Sequence, residues 1–115
     1  MNASDFPMLG AGWNPLPHEI ERRRRIQVSV ATYAYEIVDK PIMPDRVWDS
    51  LAQRINKTRG TGHPLLDEFF ATEFSPMTGM WIHHHPELAG IERIYSRYWD
   101  LTRNHYEALY RRKKL

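Results

Sequence analysis

Cysteine is absent from this 115-residue chain, which excludes disulfide staples and thiolate metal sites and fits a reducing compartment. No apolar run approaches the roughly 20 residues that a membrane-spanning helix requires, and the first residues carry no apolar segment of the signal-peptide kind. A soluble, cytoplasmic protein with no membrane partner is therefore the expectation. Lysine is confined to Lys40, Lys57, Lys113 and Lys114. The sequence also has no phosphate loop, no GxSxG and no DxDxG calcium loop, and it shows no internal repeat or low-complexity segment. A chain of this length buries one modest core and is read as a single domain.

What is present is helical punctuation, aromatic residues and clustered cations. Residues 1–15 contain Pro7, Gly10, Gly12 and Pro15 without a sustained period and read as an irregular arm, with a single helical domain over 16–115. A helix is predicted from about Pro17. Proline suits a first turn, Glu19 and Glu21 complement its positive end, and apolar residues recur at Ile26, Val30, Tyr33 and Ile37. It should stop near Asp39, because Pro41 restricts Lys40. Pro44 and Asp45 then open a second helix with Val47, Trp48, Leu51 and Ile55 on one face and Gly60 and Gly62 beyond its end. A short third helix carries Leu65, Leu66, Phe69 and Phe70, and a loop runs from Phe74 to Met80. A long last helix starts around Pro86 and Glu87, with Leu88, Ile91, Ile94, Tyr95, Tyr98, Leu101, His105 and Leu109 as its apolar face. The expected fold is all-α, a small bundle of about four helices around an aromatic-rich core.

The stretch from Tyr33 to Leu51, YAYEIVDKPIMPDRVWDSL, is the most specific part of the chain. It resembles the N-terminal helical domain, often called Ia, of NAD-dependent DNA ligases. There a Tyr-x-Tyr-His-x-x-Asp-x-Pro segment ends one helix, and Ser-Asp or Pro-Asp opens a second that carries Tyr-Asp-x-Leu. Tyr33, Tyr35, Asp39, Pro41, Pro44, Asp45, Trp48, Asp49 and Leu51 match. The run from His63 to Leu66 and the Ser75-Pro76 pair extend the likeness more loosely, so that it covers residues 17–77. In that family the helical pair closes over the nucleotidyltransferase domain and grips the nicotinamide mononucleotide half of NAD. The resemblance thus implies Tyr35, Asp45, Trp48 and Asp49 as cofactor-binding residues, and NAD or nicotinamide mononucleotide as the ligand. The residue types suit such a ligand, because an electron-rich ring stacks on a cationic nicotinamide and carboxylates accept hydrogen bonds from ribose hydroxyls or the carboxamide. Two positions depart from the family. Glu36 stands in place of the histidine, exchanging a donor toward phosphate for an acceptor that repels it, and Trp48 replaces a tyrosine, keeping the stack without the hydroxyl. The family's nucleophilic lysine, presented in Lys-x-Asp-Gly, has no counterpart, which excludes a stand-alone ligase of that family.

Plainer readings stand beside these. Tyr33 and Trp48 at helical spacing also suit a core, Asp45 suits a helix first turn or cap, and Asp39 with Pro41 suits a turn between helices. His83, His84 and His85 are potential metal ligands, as are His63 and His105, but adjacent residues diverge and the spacing matches no known site; a polar loop is the expectation, with no metal. Arg22, Arg23, Arg24 and Arg25 span more than a helical turn and read first as a solvated face. With Arg111, Arg112, Lys113 and Lys114, they are also the candidates for nonspecific nucleic-acid binding, the aromatic residues from Tyr95 to Tyr110 offering stacking groups. The expected function is a noncatalytic, DNA-ligase-related accessory module that binds a nicotinamide nucleotide weakly or docks a protein partner, of a kind that suggests a phage or prophage gene. The alternative is a basic helical adaptor for nucleic acid or protein without a nucleotide site.

Overall fold

The structure, a computed structural model, describes residues 15–97. The arm expected over 1–15 falls outside these residues except for Pro15, as do Tyr98, Leu101, His105 and Leu109 of the last helix's expected face. Helix α1 spans Pro17–Tyr33 and runs directly into a π-helical segment, Ala34–Val38. Helix α2 spans Asp45–Gln53 and α3 spans Pro64–Thr72; a 3-10 turn, Met80–His84, then leads to α4, which is helical over 88–97. No strand occurs among the described residues, and the architecture is the small all-α bundle the periods predict.

Helix α1 is the central element; of the apolar stripe expected from the sequence, Tyr33 is in the core and Val30 packs against it, but Ile26 and Ile37 do not face inward. Ile26 is 40% exposed and Ile37 38%, whereas Glu21, Arg25, Val28, Ser29 and Thr32 are buried. Polar side chains occupy this face because each finds a partner. Ser29 and Thr32 donate to the carbonyls one turn back, of Arg25 and Val28, both at 2.6 Å. The Arg25 guanidinium donates to Glu21 at 3.0 Å, to Asp67 at 2.8 Å and to the carbonyls of Asn56 and Arg59, each at 2.8 Å. Glu21 in turn accepts from the Asn56 amide, and Arg22 donates to the Thr61 carbonyl. Burial alone would push the Asp67 carboxyl up, but hydrogen bonds from Thr61 and the neighbouring Arg25 outweigh it and hold the group below its ordinary value. One arginine therefore ties α1, α3 and the 54–61 connection together.

The apolar core lies on the other side of that network. Phe69, Phe70, Phe74, Trp81 and His85 form an aromatic cluster with ring centroids 5.0–6.2 Å apart, and Tyr33 packs on Tyr95 of α4 at 5.3 Å. Three expectations shift by a residue or so. Val47 and Leu65 are exposed while Ala52 is buried, since the inward faces of α2 and α3 are narrower than their apolar composition. The expected Phe74–Met80 loop has its first residue in the core. The histidine run is not a solvated loop either: Met80–His84 is a 3-10 turn, His83 and His84 are exposed, and His85 is buried against Phe69 and Phe70. Burial lowers the His85 pKa to about 4, against the opposing pull of Glu87.

Candidate functional site

The turn between α1 and α2 is built by Asp39, the one non-glycine described residue with positive φ, at 61°. Aspartate tolerates this left-handed conformation better than most residues. The amides of Asp39 and Lys40 both reach back to the Ala34 carbonyl, closing the π segment. Pro41 and Pro44 then direct the chain into α2, whose N-cap, Pro44, gives no side-chain bond and whose first turn carries Asp45. The local sequence thus folds the two helices back on each other with the Pro41–Met43 connection between them.

A cavity of about 340 Å³ opens between these parts, within the size range of small-molecule sites, and Tyr35, Asp45, Trp48 and Asp49 all line it. Tyr35 and Glu36 come from the π segment. Asp45, Trp48 and Asp49 share one face of α2, at i, i+3 and i+4. Pro41, Ile42 and Met43 line the cavity from the connection, and Met77, Thr78 and Gly79 from the loop after α3. The indole is fixed in place: Trp48 Nε1 donates to Thr32 Oγ1 at 2.9 Å, and that hydroxyl donates to the Val28 carbonyl at 2.6 Å. Gly79 lets the third wall approach. A Cβ there would stand 2.8 Å from Thr32 Cγ2, closer than atoms in contact allow, and 3.0 Å from Glu36 Oε1, a tight approach from which the glutamate would have to shift.

Chemically, the lining combines two aromatic rings, five apolar side chains and three carboxylates, those of Glu36, Asp45 and Asp49, with no lysine, arginine or histidine. No hydrogen bond or ion pair among the described residues engages these carboxylates. The arrangement can stack a flat ring and accept hydrogen bonds from hydroxyl or amide groups. Pairing of Trp48 with Thr32 also qualifies the core reading of this tryptophan: the ring is only half-buried, packed on the core by one side and facing the cavity by another.

The other candidates separate. Arg25 is 4% exposed and committed to its network, so it cannot meet a phosphate backbone; this removes it from the nucleic-acid candidates and corrects the solvated-face reading at that position. Arg22 is exposed at the surface, and Arg23 and Arg24 are half-buried. Arg111, Arg112, Lys113 and Lys114 lie outside the described residues. His63 caps α3 through Nδ1, which accepts from the Leu66 amide at 3.4 Å, and its Nε2 meets Glu87 at 3.0 Å, while His84 meets Glu73 at 3.2 Å. These rings therefore point to different partners. Sequence reasoning did not assign Thr32, Met77, Thr78 or Gly79 to the site. The Ser75-Pro76 pair was the only signal near the last three, and it marks a bend rather than a wall. Comparison with family models, with curated proteins and with solved structures finds no match to this chain.

Proposed function

We propose that this chain is a noncatalytic module that holds the nicotinamide ring and ribose of a nicotinamide nucleotide, working beside a partner protein in the cytoplasm, and that it is related to the Ia domain of NAD-dependent DNA ligases, in keeping with a phage or prophage origin. The observation that carries the reading is convergence: Tyr35, Asp45, Trp48 and Asp49, drawn from two helices, line one cavity of ligand size. The Trp48 ring supplies a stacking face and the carboxylates supply acceptors.

Affinity should be weak because the cavity is open on one side and a single domain supplies only part of the enclosure. Dissociation constants in the high-micromolar to millimolar range correspond to about 4–6 kcal/mol. Calorimetric titration with NAD and with nicotinamide mononucleotide tests the reading directly, and Trp48→Ala and Asp49→Ala should each weaken the binding in folded protein. Unchanged binding in both variants would remove the site. The competing reading of a basic adaptor is weakened because Arg25, one of its cations, is turned inward.

A further inference from the structure

We infer that the cavity selects by charge: it takes an N-alkylated heteroaromatic monocation and disfavours the same molecule once a phosphate is attached. The inference rests on the proposed nicotinamide site and specifies which chemical form that site prefers.

Helix α2 sorts its charges by face. Asp45 and Asp49 line the cavity, while Arg46 and Arg54 line a separate groove with Val47 and Leu51. Glu36 adds a third negative charge from the π segment. Lys40, although next to the lining residue Pro41, is exposed and does not line the cavity. Among the described residues no cation lines the cavity, and Arg46, the nearest in sequence to both aspartates, lines the other groove. A sphere of the cavity's volume, 340 Å³, is about 9 Å across, close to the Debye length of about 8 Å at physiological salt. An anionic group inside it is therefore incompletely screened from the carboxylates that line it.

The cation is favoured twice. The carboxylates attract it, and Trp48, which lines the cavity with its Nε1 held by Thr32 at 2.9 Å, is the side chain whose ring best stabilises a desolvated positive charge. Neutral nicotinamide keeps the stack but loses both attractions. A phosphate monoester carries about 1.5–2 negative charges at neutral pH, so nicotinamide mononucleotide binds only with its phosphate held out of the cavity, in solvent or against a partner's cations.

The test is a calorimetric comparison of four probes at low and physiological salt: 1-methylnicotinamide, nicotinamide riboside, nicotinamide mononucleotide and neutral nicotinamide. The two cations without phosphate should bind about tenfold more tightly than either the mononucleotide or neutral nicotinamide at low salt, a difference of roughly 1.4 kcal/mol. Added salt should narrow the gap. Glu36→Gln should narrow the riboside-to-mononucleotide gap by about three- to fivefold, as expected for one partly exposed charge, and Asp49→Asn provides a second variant with the same expected direction. If the mononucleotide binds as tightly as the riboside, or neutral nicotinamide as tightly as its methylated cation, charge selection is overturned while the nicotinamide site stands. If no probe binds, the site itself is wrong and the selectivity falls with it.

Discussion

Replacing Arg25 with methionine should be among the most destabilising single changes available in this protein. The guanidinium makes four hydrogen bonds at 2.8–3.0 Å, two to carboxylates and two to backbone carbonyls, and stands 5.0 Å from the centroid of the Phe70 ring. Methionine fills much of the volume but leaves Glu21, which is 1% exposed, as a buried charge whose remaining donor is the Asn56 amide. Removing one member of a buried ion pair in this way costs about 3–5 kcal/mol, a large part of the roughly 5–15 kcal/mol that stabilises a typical domain. The melting temperature should fall by about 15–30 °C. Arg25→Lys should lie between the two, since a single ammonium cannot satisfy acceptors arranged around a planar fork. Urea denaturation followed by circular dichroism measures both. Adding Glu21→Met to the methionine variant should cost less than it does in the native background, because the charge it removes is already stranded. A loss below about 1 kcal/mol for Arg25→Met would mean that water reaches these groups, and the network argument would be wrong.

Asp39→Gly should stabilise by up to about 1 kcal/mol and Asp39→Val should cost about 1–2 kcal/mol, because φ at this position is 61° and a β-branched residue resists the left-handed region; thermal melts of the two variants separate the outcomes. His85 should titrate near pH 4, as read from imidazole proton shifts in NMR. The sign for stability follows: the folded pKa of about 4 lies below the unfolded 6.5, so the fold binds fewer protons than the open chain and loses stability as pH falls from 6.5 towards 4. Asp67, depressed below 3.8, adds a further loss at still lower pH; a stability curve that is flat from pH 7 to 4 would contradict the histidine argument, and one with no further fall at more acid pH the aspartate argument. Gly79→Ala should move the 77–79 loop away from Thr32 and Glu36 and weaken ligand binding more than it weakens the fold, which titration and melting measured on one sample distinguish. Asp49→Ala should raise stability by about 0.5–1 kcal/mol, by relieving a like-charge i, i+4 pair and improving helix propensity, while lowering affinity; a fall in melting temperature would show that Asp49 has a structural partner.

The helices were legible because their punctuation is local. Pro17 opens α1 and Pro44 precedes the first residue of α2, and the residues that end α1 act within a few positions of themselves. The four cavity residues were legible from a resemblance spread over one short segment, which is why they could be assigned before any contact was known. What local pattern could not supply was the orientation of α1. Ile26, Val30, Tyr33 and Ile37 make a plausible apolar stripe, but Arg25 reaches across 42 positions of sequence to Asp67, and that long-range pairing turns the polar face inward. Nothing in a run of four arginines marks the fourth as different, because its carboxylate partners are identified only once the chain has folded. The π segment was hidden for a similar reason, since its hydrogen bonds depend on Asp39 adopting a left-handed turn that Asp permits without requiring.

The contrast between the two charged regions separates scaffold from site. Around Arg25 every buried charge is answered: the carboxylates of Glu21 and Asp67 accept hydrogen bonds, and each one brings two parts of the chain together. Around Trp48 the carboxylates have no partner among the described residues, and two of them are stacked one turn apart on α2, where their mutual repulsion works against the helix that carries them. Arg46, three residues before Asp49, makes no ion pair with it among the described residues; Arg46 and Arg54 line one groove and the two aspartates the cavity. Arg25 lies about two helical turns, roughly 10 Å, before Thr32 on α1, so the same helix provides a fixed end that anchors the loops and a second end whose wider π turn carries Tyr35 and Glu36 to the cavity. Stability is concentrated at the first and charge frustration at the second, the distribution expected where a binding site is maintained at some cost to the fold.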